Sequence, residues 1–97
     1  MLETVIQKEI ITYLNKLKDT YVYKQHNIAP ANRKNNVNIG QSDIIGLHKG
    51  KFLAIEVKQP NKKATPKQEK YINKINSCGG IGFVAHSLQE VKDILGV

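Results

Sequence analysis

Residues 42–58 read SDIIGLHKGKFLAIEVK, and the fold turns on how that stretch pairs. Two runs rich in β-branched and large apolar residues, 42–48 and 51–58, flank Lys49 and Gly50. Glycine there supplies the positive φ that a tight hairpin turn needs. A two-residue turn sets the register by counting: His48 faces Lys51, Leu47 faces Phe52, Ile45 faces Ala54, and Asp43 faces Glu56. Side chains alternate between faces along a strand, so Asp43, Glu56 and Lys58 point to one side. Directly opposed residues have Cβ atoms roughly 4.5–5.5 Å apart, and two carboxylates at that distance repel. A divalent cation between them reverses the sign of the interaction, because hard cations take carboxylate oxygens. The hairpin therefore gathers two acids and one ammonium group on one face.

The flanking sequence supplies a helix before the hairpin and a crossover after it. Leu2, Ile6, Ile10, Tyr13, Leu14 and Leu17 recur at helical spacing and predict a helix over residues 2–18. Residues 21–26 (YVYKQH) alternate as a short strand, and the polar stretch 28–40 reads as a surface loop. After the hairpin, Thr65, Pro66 and Gln68 form a capping box with proline at the first helical position, predicting a helix over 66–77 that buries Tyr71, Ile72 and Ile75. Gly79 and Gly80 stop it, and residues 81–86 (IGFVAH) form an apolar strand. Ser87 and Glu90 suggest a second capping box, opening a helix over 88–95 with Leu88, Val91, Ile94 and Leu95 inward. The expected order is αβββαβα. The strand–helix–strand crossover implies a right-handed parallel pairing, hence an α/β fold with a mixed sheet flanked by helices.

Ninety-seven residues suit one domain, 1–97, with a single core. No apolar run approaches the ~20 residues that span a bilayer. The acidic start Met1-Leu2-Glu3 does not read as a signal peptide, so a cytoplasmic location is expected. Cys78 stands alone, which excludes an intrachain disulfide and a cysteine-cluster zinc site. His26, His48 and His86 show no ligand spacing. A net charge of +7 favours an anionic partner.

An acidic residue in the first helix, an Asp opening a hairpin, and Glu-x-Lys in its second strand resemble the PD-(D/E)XK nuclease superfamily. Within it, the small size and the helix-borne Gln68 are most similar to the VRR-NUC family. The ordered set that carries the likeness is Glu3, Gly40-x-x-Asp43, Glu56-Val57-Lys58 and Gln68, spread over nearly the whole chain. Ser42 departs from the superfamily's proline, a residue that does no chemistry. The resemblance implies an αβββαβ core of restriction-endonuclease type and metal-dependent endonucleolytic hydrolysis of DNA. Stand-alone members of the family are similar to homodimeric nucleases selective for branched DNA, including four-way Holliday junctions. A small nuclease of this kind suits a bacterial or virus-infected bacterial cell.

Phosphodiester hydrolysis needs a nucleophilic water, neutralisation of developing charge and help for the leaving oxygen, which Mg²⁺ or Mn²⁺ can supply. On this reading Asp43 and Glu56 are metal ligands with the Val57 carbonyl as a third, and Glu3 reaches the metal through water. Glu9 competes with Glu3 for that role. Gln7, one turn after Glu3, either supports the site or the phosphate or faces solvent. Lys58 positions or deprotonates the attacking water, or contacts the phosphate. A lysine base needs a lowered pKa, which adjacent carboxylates oppose, so positioning and charge stabilisation are the favoured roles until metal is bound. Gln68 either caps its helix or supports the site, since one side chain could hardly do both. Arg33, Lys34, Lys49, Lys51, Lys62, Lys63 and Lys67 are the expected phosphate contacts, giving salt-dependent binding without base reading. Two other readings compete: a non-catalytic nucleic-acid-binding module with the same fold, and a restriction-type nuclease that reads a short sequence. For the acids, the plain alternative is a solvated edge hairpin with a surface salt bridge.

Overall fold

The computed structural model describes residues 2–25 and 42–97. His26, Arg33, Lys34 and Gly40, and the loop expected over 28–40, lie outside the described residues. The element order is α1 (Glu3–Leu14), β1 (Thr20–Lys24), β2 (Ile44–His48), β3 (Lys51–Val57), α2 (Pro66–Ser77), β4 (Ile81–Ala85) and α3 (Leu88–Leu95). The four strands form one sheet in sequence order, antiparallel from β1 to β3 and parallel between β3 and β4. This is the expected mixed α/β sheet.

The hairpin register is the one that counting gives: His48 opposite Lys51, Leu47 opposite Phe52, Ile45 opposite Ala54. Lys49 and Gly50 both take positive φ, 51° and 82°, as a type I′ turn requires. Gly46 has a separate steric reason, since a Cβ there would lie 2.0 Å from the Tyr21 carbonyl oxygen on β1.

One face of the sheet carries Val22, Ile44, Leu53, Ile55, Val57 and Ala85, which pack with Ile6, Ile10 and Leu14 of α1 and Val91 of α3. His48 is also buried on this side, where Nδ1 lies 2.8 Å from the Thr20 hydroxyl. Burial and neighbouring Lys49 hold its pKa below the usual histidine value, so it serves packing as a neutral ring. On the opposite face α2 lies over β3 and β4, with Ile72 and Ile75 close enough to touch a Cβ placed at Gly82. That helix does not reach β1 or the far end of the hairpin, so Tyr21, Tyr23, Leu47 and Phe52 remain exposed there. On this second face of β3, Ala54 is buried under α2 and Phe52 is exposed.

Local boundaries differ from the sequence expectations for identifiable reasons. The first helix ends at Leu14 and not near 18, because the Asn15 side chain leaves the helix register to pair with β1. Its amide donates to the Val22 carbonyl at 3.0 Å and its oxygen accepts from the Val22 N–H at 2.8 Å. β1 accordingly starts one residue early, at Thr20. Leu2 and Ile94, assigned to inward stripes, are exposed, since each sits at a helix margin. In α2, Ile72 is buried while Tyr71 and Ile75 are half-buried. Its bounds are as expected, and both halves of its capping box form. The second capping box is only half made. Ser87 accepts from the Glu90 N–H, but the Glu90 carboxylate reaches one residue further back, to the N–H of His86 at 3.1 Å.

Candidate active site

Asp43 immediately precedes β2, one step beyond the Ile44–Ile55 pair, which sets it beside Glu56. Its Oδ2 accepts a hydrogen bond from the Val57 N–H at 2.9 Å, so the hairpin backbone itself orients the carboxylate. Glu56 is almost wholly buried, at 2% exposure, on the α2 side of the sheet. Its Oε2 accepts from Gln68 Nε2 at 3.0 Å and lies 3.6 Å from Lys58 Nζ. Its Oε1 has no hydrogen-bond partner among the described residues.

The electrostatics follow from this crowding. Burial first, and then the charge of the Asp43 carboxylate, push the Glu56 carboxyl up to about 8 against the opposing pull of Lys58. A buried carboxyl with an orphaned oxygen, facing a second carboxylate, is an arrangement that a cation would relieve. The side-chain donors that face each other here, on Asp43 and Glu56, are all oxygen, a chemistry that suits a hard cation better than a soft one. Among the described residues no cluster of three or more His, Cys, Asp or Glu side chains forms, so the acidic set here is a pair.

Gln68 resolves the choice between cap and site by doing both. Its Oε1 accepts from the Thr65 N–H at 2.8 Å, completing the capping box, while its Nε2 holds Glu56. The two ends of the amide serve the two tasks, which the sequence reading treats as exclusive. Glu3 opens α1 and is half-buried, and no hydrogen bond or ion pair among the described residues joins it to Asp43, Glu56 or Lys58. Glu9 is exposed in the middle of α1.

The lysines separate into two groups. Lys62 and Lys63, on the connection after β3, and Lys67 in the first turn of α2 lie at the end of the hairpin that carries Glu56. Lys49 and Lys51 are at the turn, about 20 Å away along the strands. The connection after β3 is tied down by His86, whose Nε2 lies 2.8 Å from the Lys62 carbonyl and whose Nδ1 lies 3.1 Å from Glu90 Oε1. Both partners accept hydrogen bonds, and together they raise the His86 pKa. The sequence offers no signal for this role, because His86 and Lys62 are brought together only by the parallel pairing of β3 and β4. Gln7 does not face solvent. It is buried at 6% exposure, with Oε1 unpartnered among the described residues. Ser42, which has no chemical part in the sequence reading, is buried too, and its Oγ is likewise unpartnered among the described residues. For Ser42 the available clue is its place directly before Asp43.

A hairpin that opposes two carboxylates, with a lysine two residues on and a glutamine from the crossover helix, defines a nuclease-type domain. The VRR-NUC domain model matches residues 8–89, and the chain belongs to the VRR-NUC family. The match begins after Glu3. A solved structure described as a VRR_NUC domain protein is similar over 99% of this chain and 86% of that one, with a TM-score of 0.75 and 21% sequence identity. That likeness is one of fold. No curated protein sequence matches the chain.

Proposed function

We propose that residues 1–97 act as one metal-dependent endonuclease domain that hydrolyses DNA phosphodiester bonds, selectively on branched DNA such as four-way junctions, and as a homodimer. The observation that carries the nuclease reading is the buried Glu56 carboxyl. It is held between Asp43 and Lys58 with one oxygen unpartnered among the described residues, and its pKa is raised to about 8. Burying such a group costs a protein stability, and binding a cation between the two carboxyls would offset that cost.

Asp43, Glu56 and the Val57 carbonyl would hold Mg²⁺ or Mn²⁺, and Glu3 is the further acid that α1 would contribute. When bound, the metal supplies charge neutralisation at the phosphate and a more acidic water. The remaining work falls to the chain's own groups. The Val57 N–H and Gln68 Nε2 fix the two carboxylates in place. Lys58, 15% exposed in its side chain, is the cation at the mouth of the site and would contact the scissile phosphate or orient the attacking water. Lys62, Lys63 and Lys67 would hold the flanking phosphates near the cut and Lys49 those further along, whereas Lys51, paired with His48, alternates to the sheet face away from Glu56. Two-fold symmetry would give a dimer two such sites for the paired cuts that a junction needs.

The test is cleavage of single-stranded, duplex, flap and four-way junction DNA with Mg²⁺, Mn²⁺ or EDTA, by the parent chain and by Lys58→Ala. Metal-dependent cutting that disappears in the variant supports the reading, and the favoured substrate decides the selectivity. Binding without cutting in either metal refutes it and leaves a non-catalytic DNA-binding module.

A further inference from the structure

The sheet face that bears Asp43 and Glu56 continues into an exposed, largely aromatic surface. Tyr21, Tyr23, Leu47 and Phe52 lie there, exposed by 63%, 46%, 53% and 38%. Tyr23 pairs with Ile45, two residues from Asp43 along β2, or about 7 Å. Tyr21 pairs with Leu47, one further repeat away on the same face. The two rings are side by side, with centroids 5.8 Å apart and planes inclined by 41°. The far end of the surface is a recess formed by Asp19, Thr20, Tyr21, Leu47, Lys49 and Gly50, so a lysine borders it as well as one carboxylate.

A strand whose phosphate reaches Asp43 and Glu56 extends to one side over this face. A paired strand turns its bases toward its complement and would offer these rings only sugar and phosphate. An unpaired strand offers base faces, and aromatic side chains stack on any base regardless of sequence. A second protein copy seated here would begin one strand repeat from Asp43 and crowd the approach to the carboxylates. We propose that Tyr21 and Tyr23 form a stacking platform for unpaired bases adjoining the scissile phosphate, which Lys58 would hold beside Asp43 and Glu56. The inference rests on the nuclease reading and narrows its substrate class to branched DNA with bases unpaired beside the cut, as in a flap or at the opened crossover of a four-way junction.

Binding is measured by fluorescence anisotropy in EDTA, where no cutting is needed, using a labelled single strand, a flap and a blunt duplex. Tyr21→Ala and Tyr23→Ala should each weaken the single strand and the flap by roughly 5- to 100-fold. Duplex affinity should change by less than about twofold, and Tyr21→Phe and Tyr23→Phe, which keep the ring, should bind like the parent. Equal losses on duplex and single strand, or no loss on either, overturn the proposal. So does sedimentation showing that the alanine variants lose a dimer and all DNA affinity together, which would assign the face to a second copy. Parent cleavage of the same DNAs in Mg²⁺ separates the two ideas. Tyrosine-dependent binding without cleavage sinks the nuclease reading alone, and cleavage of flaps undiminished by Tyr21→Ala and Tyr23→Ala sinks the platform alone.

Discussion

Glu56 makes the metal-free protein less stable as the pH rises, and a bound divalent cation should remove the effect. The unfolded chain ionises this carboxyl near its ordinary 4.5, whereas the folded chain holds it protonated up to about 8. Between those values the native state binds more protons than the unfolded state, so stability falls with increasing pH. The loss is complete above the folded pKa and absent below the unfolded one. Each pH unit in that window costs up to about 1.4 kcal/mol, so passing from pH 5 to pH 7.5 removes up to about 3 kcal/mol. For a domain of this size that corresponds to a fall in Tm of roughly 10–20 °C.

Glu56→Gln is the control, since a neutral amide of the same shape carries no such titration. Thermal unfolding of both chains, at steps from pH 5 to pH 8 in EDTA, gives the difference in Tm as a function of pH. The variant should gain on the parent steadily through this range. Adding Mg²⁺ at pH 7.5 should raise the parent's Tm and leave the variant's nearly unchanged, because ligands that bind only the native state stabilise it by mass action. A Tm difference independent of pH would refute the burial argument, and an equal Mg²⁺ response in both chains would refute the assignment of Glu56 to the metal.

Gln68→Ala should cost about 1–2 kcal/mol in denaturant unfolding, by removing both a cap and a partner of Glu56, and should also reduce cleavage. Gln68→Glu keeps a capping acceptor but sets a third carboxylate against Glu56, so its cleavage at neutral pH should fall below that of Gln68→Ala in the same assay. Gly46→Ala forces a methyl into the β1 backbone, and circular dichroism melts should show a loss of at least about 3 kcal/mol or failure to fold. Replacing Lys62, Lys63 and Lys67 together by alanine should lower the slope of log affinity against log salt, measured on duplex DNA between low and moderate salt. The expected decrease is up to about 0.9 for each phosphate that these lysines neutralise.

The hairpin was legible because a two-residue turn leaves one register, and that register alone pairs Asp43 with Glu56. α2 was legible to the residue, since Thr65, Pro66 and Gln68 state its start in local chemistry. The end of α1 was not. Asn15 pairs with Val22 across a turn, and no local propensity announces a contact that needs the sheet to exist. Glu90 misled for a similar reason. Its carboxylate had two N–H groups within reach, and the His86 ring, placed by β4, decided between them. Apolar residues stand on both faces of β3, but whether each is covered depends on how far α2 reaches across the sheet, which hydrophobic spacing does not record. The acids themselves were readable as a pair, while the burial that raises the pKa of Glu56 became visible only with α2 in place.

Once Glu56 is ionised, as a bound cation would keep it, the Gln68 amide is held one way round. A half rotation about its last bond would aim Oε1 at the Glu56 carboxylate and the NH₂ group at the Thr65 N–H, replacing two attractions with two repulsions at once. A single torsion is thus keyed from both sides, like a bolt whose two ends fit different sockets. Thr65 touches no carboxylate, yet it governs which atom faces Glu56. Changes at Thr65 and Glu56 should therefore fail to add, although nine positions separate them in the chain and one belongs to a helix cap, the other to a strand.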